Sequence, residues 1–274
     1  MSTMELPPLT PPRRRWTRFI LPVYTIAMVV YLASPILVMI LYGFNDVPTD
    51  RQQARFYGFT LDWWKNVFNI PGLPEAFKNS LLIAPISAAF ATGLGTLVGL
   101  ALGRYKFRAL RPSDFVIFLA IAVPEIVLGS SLLSMFVIAG APLGLGTLLL
   151  SHIGFSIAFV AVTVRARVVG LDQSLEEAAQ DLFATPLVGF FKVTLPLIAP
   201  AILAGFLLAF VLSLDDFVIT NFVAGTTNTF PLWVYGAQRI GIPPQVNVMG
   251  TILFSAGILA AIVSVALQRR RTAP

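Results

Sequence analysis

The chain has 274 residues, 57% of them apolar and 12% charged, and a mean hydropathy of +0.82, which is too little polar surface to coat a soluble globule. It contains no cysteine and a single histidine, His152, which excludes disulfides, thiolate metal sites and a histidine-built zinc site. The net charge of +6 is divided among the segments between apolar runs, so it points to membrane topology and away from nucleic acid.

Residues 1–18 are rich in proline and end in Arg13, Arg14, Arg15 and Arg18, the pattern of a basic tail. The apolar run from Phe19 to Phe44 is too long for a signal-peptide core and reads as a first, uncleaved span, kinked at Pro22 and Pro35. A polar segment from Asn45 to Lys78 follows and reads as an external loop with an interfacial aromatic helix at Trp63 and Trp64. Further apolar runs at Leu81 to Gly103, Phe115 to Ala139, Thr147 to Val164, Pro196 to Ile219 and Val246 to Leu267 are each long enough to cross a hydrocarbon core of roughly 30 Å. The reading is an all-α membrane protein of six transmembrane helices over residues 19–267, closed by a basic tail at 268–274. In the second run Gly93, Gly95, Gly99 and Gly103 suit close helix packing. The sequence G-x-x-x-x-G-K-[ST] occurs nowhere, so no nucleotide site and no catalytic residue is expected.

Orientation follows from the basic residues. With the N-terminus in the cytosol, the inner segments hold Arg13, Arg14, Arg15, Arg18, Arg104, Lys106, Arg108, Arg111, Arg165, Arg167, Lys192, Arg269, Arg270 and Arg271. The outer segments hold Arg51, Arg55, Lys65, Lys78 and Arg239. Fourteen against five places both termini in the cytosol.

The stretch Leu171 to Pro200, between the fourth and fifth runs, is a polar island on that same side. Ser174 followed by Glu177 is a capping-box pattern that starts a short helix. Its apolar stripe is Leu175, Ala178, Ala179 and Leu182, with Glu176, Gln180 and Asp181 opposite. Thr185 then Pro186 is an N-cap followed by proline at the first helical position, which starts a second short helix after a tight corner. Helices this short need outside support, so a partner surface is implied, the alternative being a hairpin lying on the membrane.

Glu177-Ala178-Ala179, with Leu195-Pro196 after a fixed interval, resembles the EAA loop of ABC importer permeases. The resemblance implies the type I (MetI-like) importer fold. It also implies a coupling helix seated in a groove of an ATPase, with Ser174, Glu177, Ala178, Ala179, Leu182, Phe183, Leu195 and Pro196 as the coupling residues. Phe183 departs from the family pattern, which has glycine there; a left-handed corner is costly for phenylalanine. The partners implied are two ATP-binding subunits, a second permease subunit that is a different, homologous chain or a second copy of this one, and an extracytoplasmic substrate-binding protein, in a bacterial inner membrane. ATP would be hydrolysed by the partners, and this chain would bind no cofactor.

Three acids lie in apolar runs, where they are expensive. Glu125 follows Pro124 near the middle of the third run and faces a cavity or hydrogen-bonds to carbonyls freed by the proline. Asp215 and Asp216 fall near the outer end of the fifth run and line the mouth or pair with Arg239. His152 reads as a satisfied interior histidine. The strings PEIVLG at 124–129 and LSLDDFVIT at 212–220, with the segment around Arg239, resemble the spermidine/putrescine branch of these permeases. That resemblance implies Glu125, Asp215 and Asp216 along a path for a small cationic solute. Three other readings are set beside it: a permease of this kind for another small organic or metal cargo, an ion- or proton-coupled secondary transporter using the same acids, and a membrane anchor for a cytosolic complex.

Overall fold

The computed structural model describes residues 17–49, 51–105, 108, 110–172 and 174–272. Arg13, Arg14, Arg15 and Lys106 lie outside them, as do Ala273 and Pro274. The helices in chain order are α1 (Thr17–Tyr42), α2 (Asp62–Lys65), α3 (Leu73–Arg104), α4 (Leu110–Ala122), α5 (Glu125–Ile138), α6 (Leu145–Val169), α7 (Ser174–Asp181), α8 (Pro186–Gly189), a π-turn (Phe190–Thr194), α9 (Leu195–Asp215), α10 (Val218–Val223), α11 (Phe230–Gln238) and α12 (Gln245–Thr272). They divide into two compact units, Met1–Val67 with Pro243–Ser264 and Phe68–Ile242 with Val265–Pro274.

In the first unit α1 carries Pro22 and Pro35 within it and buries none of its apolar window. Beyond α1 the chain folds around Asn45, which is buried. Its amide donates to the Arg55 carbonyl at 2.8 Å, its side-chain oxygen accepts from Tyr57 N–H at 2.7 Å, and its backbone carbonyl accepts from the Trp63 indole at 2.8 Å. Phe44 stacks on Phe59 and Trp64. The aromatic helix expected at Trp63 and Trp64 is a single turn, α2.

The second unit is built on α3, α6 and α9, which pack on one another around Ala88, Ala91, Val160, Val164, Val168 and Ile198. Small residues make the α3–α6 contact possible. A Cβ at Gly95 would stand 2.6 Å from Val160 Cβ, at Gly99 2.7 Å from the Ala161 carbonyl oxygen, and at Gly103 2.8 Å from Val168 Cγ1. Gly93, expected in the same stripe, faces open space.

Among the described residues four helical stretches are long and apolar enough to cross a membrane: Phe19–Tyr42, Leu73–Arg104, Leu145–Val169 and Pro186–Asp215. The chain is therefore a multi-pass membrane protein. The third expected span is a broken pair, α4 and α5, bent by 105°. Pro124 takes an extended ψ of 132° between them, and proline can neither supply the helical N–H nor leave its predecessor comfortable in a helix. The sixth expected span falls on α12, of whose side chains only part are described. The second span begins at Leu73, earlier than expected. The fifth begins at Pro186 and breaks after Asp215, so Ile219 belongs to a separate helix, α10.

The α3–α6 seam yields a stability prediction. Gly99→Ala forces a methyl group onto a backbone carbonyl and should cost about 1–3 kcal/mol, whereas Gly93→Ala should leave stability unchanged or slightly raised. Thermal unfolding of the two variants in detergent measures the difference; equal midpoints would contradict the seam.

Candidate functional site

The polar loop is anchored at its start by Asp172, whose carboxylate accepts the Ser174 N–H at 3.0 Å. That bond holds the Asp172 carboxyl below its ordinary range, so the turn is intact at neutral pH. The expected capping box of Ser174 and Glu177 is not formed. Ser174 is the first residue of α7, and the aspartate two residues earlier reaches its N–H first, in an Asx turn.

At the other end of α7 the chain closes in a Schellman arrangement. Phe183 N–H donates to the Gln180 carbonyl at 2.9 Å and Ala184 N–H to the Ala179 carbonyl at 3.0 Å. This geometry needs a left-handed residue between them, and Phe183 supplies it with φ +63°. The corner is thus the one a glycine would make, built with a residue that pays about 1–2 kcal/mol for the conformation. Thr185 then caps α8, accepting from Val188 N–H at 3.4 Å, with Pro186 in the first turn.

The helix that follows the corner is not a separate short arm. It continues through the π-turn into α9 as one stretch, Pro186–Asp215. The wide turn closes with Leu195 N–H on the Phe190 carbonyl, immediately before Pro196, which has no N–H to give. Leu195 packs against the core and Pro196 is exposed.

The apolar stripe of α7 is divided, most of it left open and Ala179 turned inward. Leu175, Ala178 and Leu182 are exposed, as are Ser174 and Glu177, and only Glu176 and Ala179 turn inward. Glu176, expected on the outer polar side, pairs with Arg104 at the end of α3 and accepts from the Thr194 hydroxyl. Leu182 is 81%, Phe183 96% and Leu187 71% exposed, so the corner offers an apolar knob. Two more arginines of the topology tally hold the helix ends beside it. Arg165 grips Asp114 of α4 with both guanidinium nitrogens, and Arg167 donates to the Leu197 carbonyl at 3.1 Å.

The three acids gather at two helix breaks. Glu125, expected mid-span, is the first residue of α5 and is exposed; α5 packs on α10, where the Phe222 ring lies over Gly129. Asp215 ends α9 and is exposed. Asp216, its neighbour, is buried and committed to internal partners. It accepts from Thr220 N–H at 2.8 Å, Thr220 Oγ1 at 2.9 Å and Ile219 N–H at 3.3 Å, which caps α10, and lies 3.3 Å from His152 Nε2. His152 also meets Thr220 Oγ1 at 3.0 Å through Nε2 and Ser213 Oγ at 2.6 Å through Nδ1. Thr220, Ser213 and Asp216 thus surround both ring nitrogens, and the Thr220 hydroxyl donates to Asp216. Arg239, considered as a partner for the aspartates, lies over the Tyr235 ring instead. Sequence spacing separates the acids into two depths; the breaks at Pro124 and Asp216 bring them to adjoining helix ends.

The described spans, α4–α5 broken at Pro124 and Pro186–Asp215 carrying a π-turn, with an apolar corner facing outward on the loop after α6, define a helical, multi-pass membrane protein. The chain belongs to the family described as binding-protein-dependent transport system inner membrane component, whose profile matches residues 95–273. It is therefore the membrane component of an importer, a permease subunit and not an enzyme, with no cofactor of its own. It is 38% identical to the spermidine/putrescine transport system permease protein PotC of Escherichia coli K12 over 90% of this chain and 92% of that one. It is equally 38% identical to the putrescine transport system permease protein PotI of the same strain, over 82% of each. A bacterial alginate ABC transporter in complex with an alginate pentasaccharide-bound periplasmic protein superposes with a TM-score of 0.67 at 17% identity, over 95% of this chain and 96% of that one. An inward-facing MetNI methionine ABC transporter superposes at 0.62 and 20% identity, over 73% of this chain and 96% of that one, which establishes the shared importer fold.

Two outcomes test the site geometry. Phe183→Gly should raise stability by about 0.5–1 kcal/mol net, relief of the left-handed cost minus the greater freedom of glycine in the unfolded chain. Asp216→Ala should cost about 2–4 kcal/mol through the lost cap and the stranded histidine, while Asp215→Ala should stay within about 0.5 kcal/mol. Unfolding midpoints in detergent read both comparisons.

Proposed function

We propose that the chain is the permease subunit of an ATP-driven importer for a polyamine such as spermidine or putrescine, forming half of the translocation pathway and coupling to the ATPases through residues 171–200. The observation that carries the substrate is the 38% identity, along 90% of the chain, to a spermidine/putrescine permease. The chain works with a second, homologous permease chain, two ATP-binding subunits and an extracytoplasmic binding protein that delivers the cargo. Both termini face the cytosol of a bacterial cell, by the distribution of arginine and lysine. Residues 19–267 form the spanning domain between two basic tails, 1–18 and 268–274.

The coupling residues are Ser174, Glu177, Ala178, Ala179, Leu182, Phe183, Leu195 and Pro196. The apolar corner enters a groove of an ATPase, where its exposed surface is removed from water. When the ATPases close on ATP, the corner moves, and the unbroken stretch Pro186–Asp215 carries that movement to the break at Asp216. The cavity then alternates between the two faces of the membrane. A polyamine carries two or more positive charges, and its lost hydration has to be replaced by carboxylates that hold it weakly enough to release it. Glu125 and Asp215, exposed at adjoining helix ends, do this, and Asp216 with His152 holds the break in shape.

Uptake of labelled putrescine by the complex in proteoliposomes tests the reading. Glu125→Gln or Asp215→Asn should each lower uptake about tenfold, the equivalent of one charged contact of about 1.4 kcal/mol. Glu177→Ala or Ala179→Asp should abolish coupling while the membrane domain stays folded. Full uptake by Glu125→Gln combined with Asp215→Asn would rule out the acids as the cation path. A cytosol-specific reporter should be active after Ala273 and silent near Gln53; the reverse would overturn the orientation.

A further inference from the structure

We propose that Glu176 is the positioning residue that ties α7 to the membrane core, by clasping Arg104 at the end of α3 and Thr194 at the start of α9; this rests on the reading of the chain as an ATPase-coupled permease. Helix α7 has eight residues and none of them is buried. A helix of that length is unstable by itself in water; its Leu175 and Ala178 are exposed, and Ala179 is its one apolar side chain that turns inward. Apolar packing by a single alanine holds it weakly. A cavity of about 250 Å³ lies between α7, the end of α3 and the π-turn, lined among others by Gln180, Leu100, Phe190 and the Glu176, Arg104 and Thr194 of the clasp itself.

The carboxylate of Glu176 uses both oxygens. Oε2 pairs with the Arg104 guanidinium and Oε1 accepts from the Thr194 hydroxyl. Arg104 is the last residue of α3, one position beyond Gly103 in the α3–α6 seam, and its side chain is 17% exposed. Thr194 is 4% exposed and closes the π-turn just before α9. One side chain so joins the ends of two of the three core helices. The charges also suit their helices: Glu176 stands in the first turn of α7, Arg104 in the last turn of α3, each opposite in sign to the partial charge of its helix end. Partial burial makes the pair stronger than a surface pair, and removal of one partner leaves the other stranded. A push on the exposed face of α7 reaches α3 and α9 through this carboxylate, across a space that side-chain packing leaves open.

The test uses the complete complex in proteoliposomes and reads two quantities, putrescine taken up per ATP hydrolysed and retention of the ATPase subunits. Glu176→Gln and Arg104→Gln should each lower uptake per ATP about tenfold with the ATPases still bound and basal hydrolysis within about twofold of wild type. The reversed pair, Arg104→Glu with Glu176→Arg, should recover at least about a third of the wild-type ratio, although each reversal alone does not. A wild-type ratio in Glu176→Gln would overturn the proposal. So would a double reversal no better than its singles, or loss of the ATPases from Glu176→Gln, which would make Glu176 a folding residue only. The underlying reading fails separately, and takes the proposal with it, if the wild-type complex itself shows no ATP-dependent uptake.

Discussion

The close approach of α3 and α6 is the contact on which the rest of the second unit depends. Lipid removes most of the hydrophobic drive for helix association, so the helices must gain from dispersion at short range, and Gly95, Gly99 and Gly103 bring the α3 backbone against Val160, Ala161 and Val168. That seam fixes two helix ends at once. At one stands Arg104, the partner of Glu176; at the other stand Arg165 and Arg167, which hold Asp114 and the Leu197 carbonyl. Further along α6 the same helix carries His152 to Ser213, Thr220 and Asp216, so the break between α9 and α10 is set by the same contact.

The polar loop inverts the usual arrangement of a surface helix. Its carboxylate faces the core and its leucines face outward, together with a phenylalanine held left-handed where glycine is the economical choice. An isolated chain gains nothing from either feature: the exposed side chains lie in water and the strained corner costs about 1–2 kcal/mol. Both features make sense in a membrane component whose loop is completed by another subunit. The long stretch from Pro186 to Asp215, bent neither at the π-turn nor at Pro200 into separate spans, then connects that loop directly to the acids at the far break.

Much of this was legible in the residues. Apolar run lengths locate the spanning stretches and Thr185 before Pro186 marks a helix start, whereas Phe183 in place of the family's glycine leaves the form of the corner open until the fold gives its φ of +63°. Other features were hidden for physical reasons. Run length is blind to a bend, so the 105° break at Pro124 leaves the third run looking like one helix. Adjacent aspartates are equivalent in composition; only the fold, by bringing His152 of α6 beside α10, buries Asp216 and leaves Asp215 outside. The start of α3 was lost in a polar segment because Asn79 and Ser80 are spent on the Asn228 carbonyl and the Phe230 N–H, bonds invisible without the fold. For α7, helical period places Glu176 opposite the apolar stripe but is blind to Arg104 and Thr194, which select it over Gln180 and Asp181.

The central structural claim is that the exposed corner is held firmly on the three-helix core. Pulsed electron paramagnetic resonance between spin labels at Leu182, on the corner, and Leu97, on the exposed side of α3, measures this directly in detergent micelles. A single narrow distance distribution is the predicted result; a broad or multimodal one would mean that the loop swings free of α3, and would contradict the account.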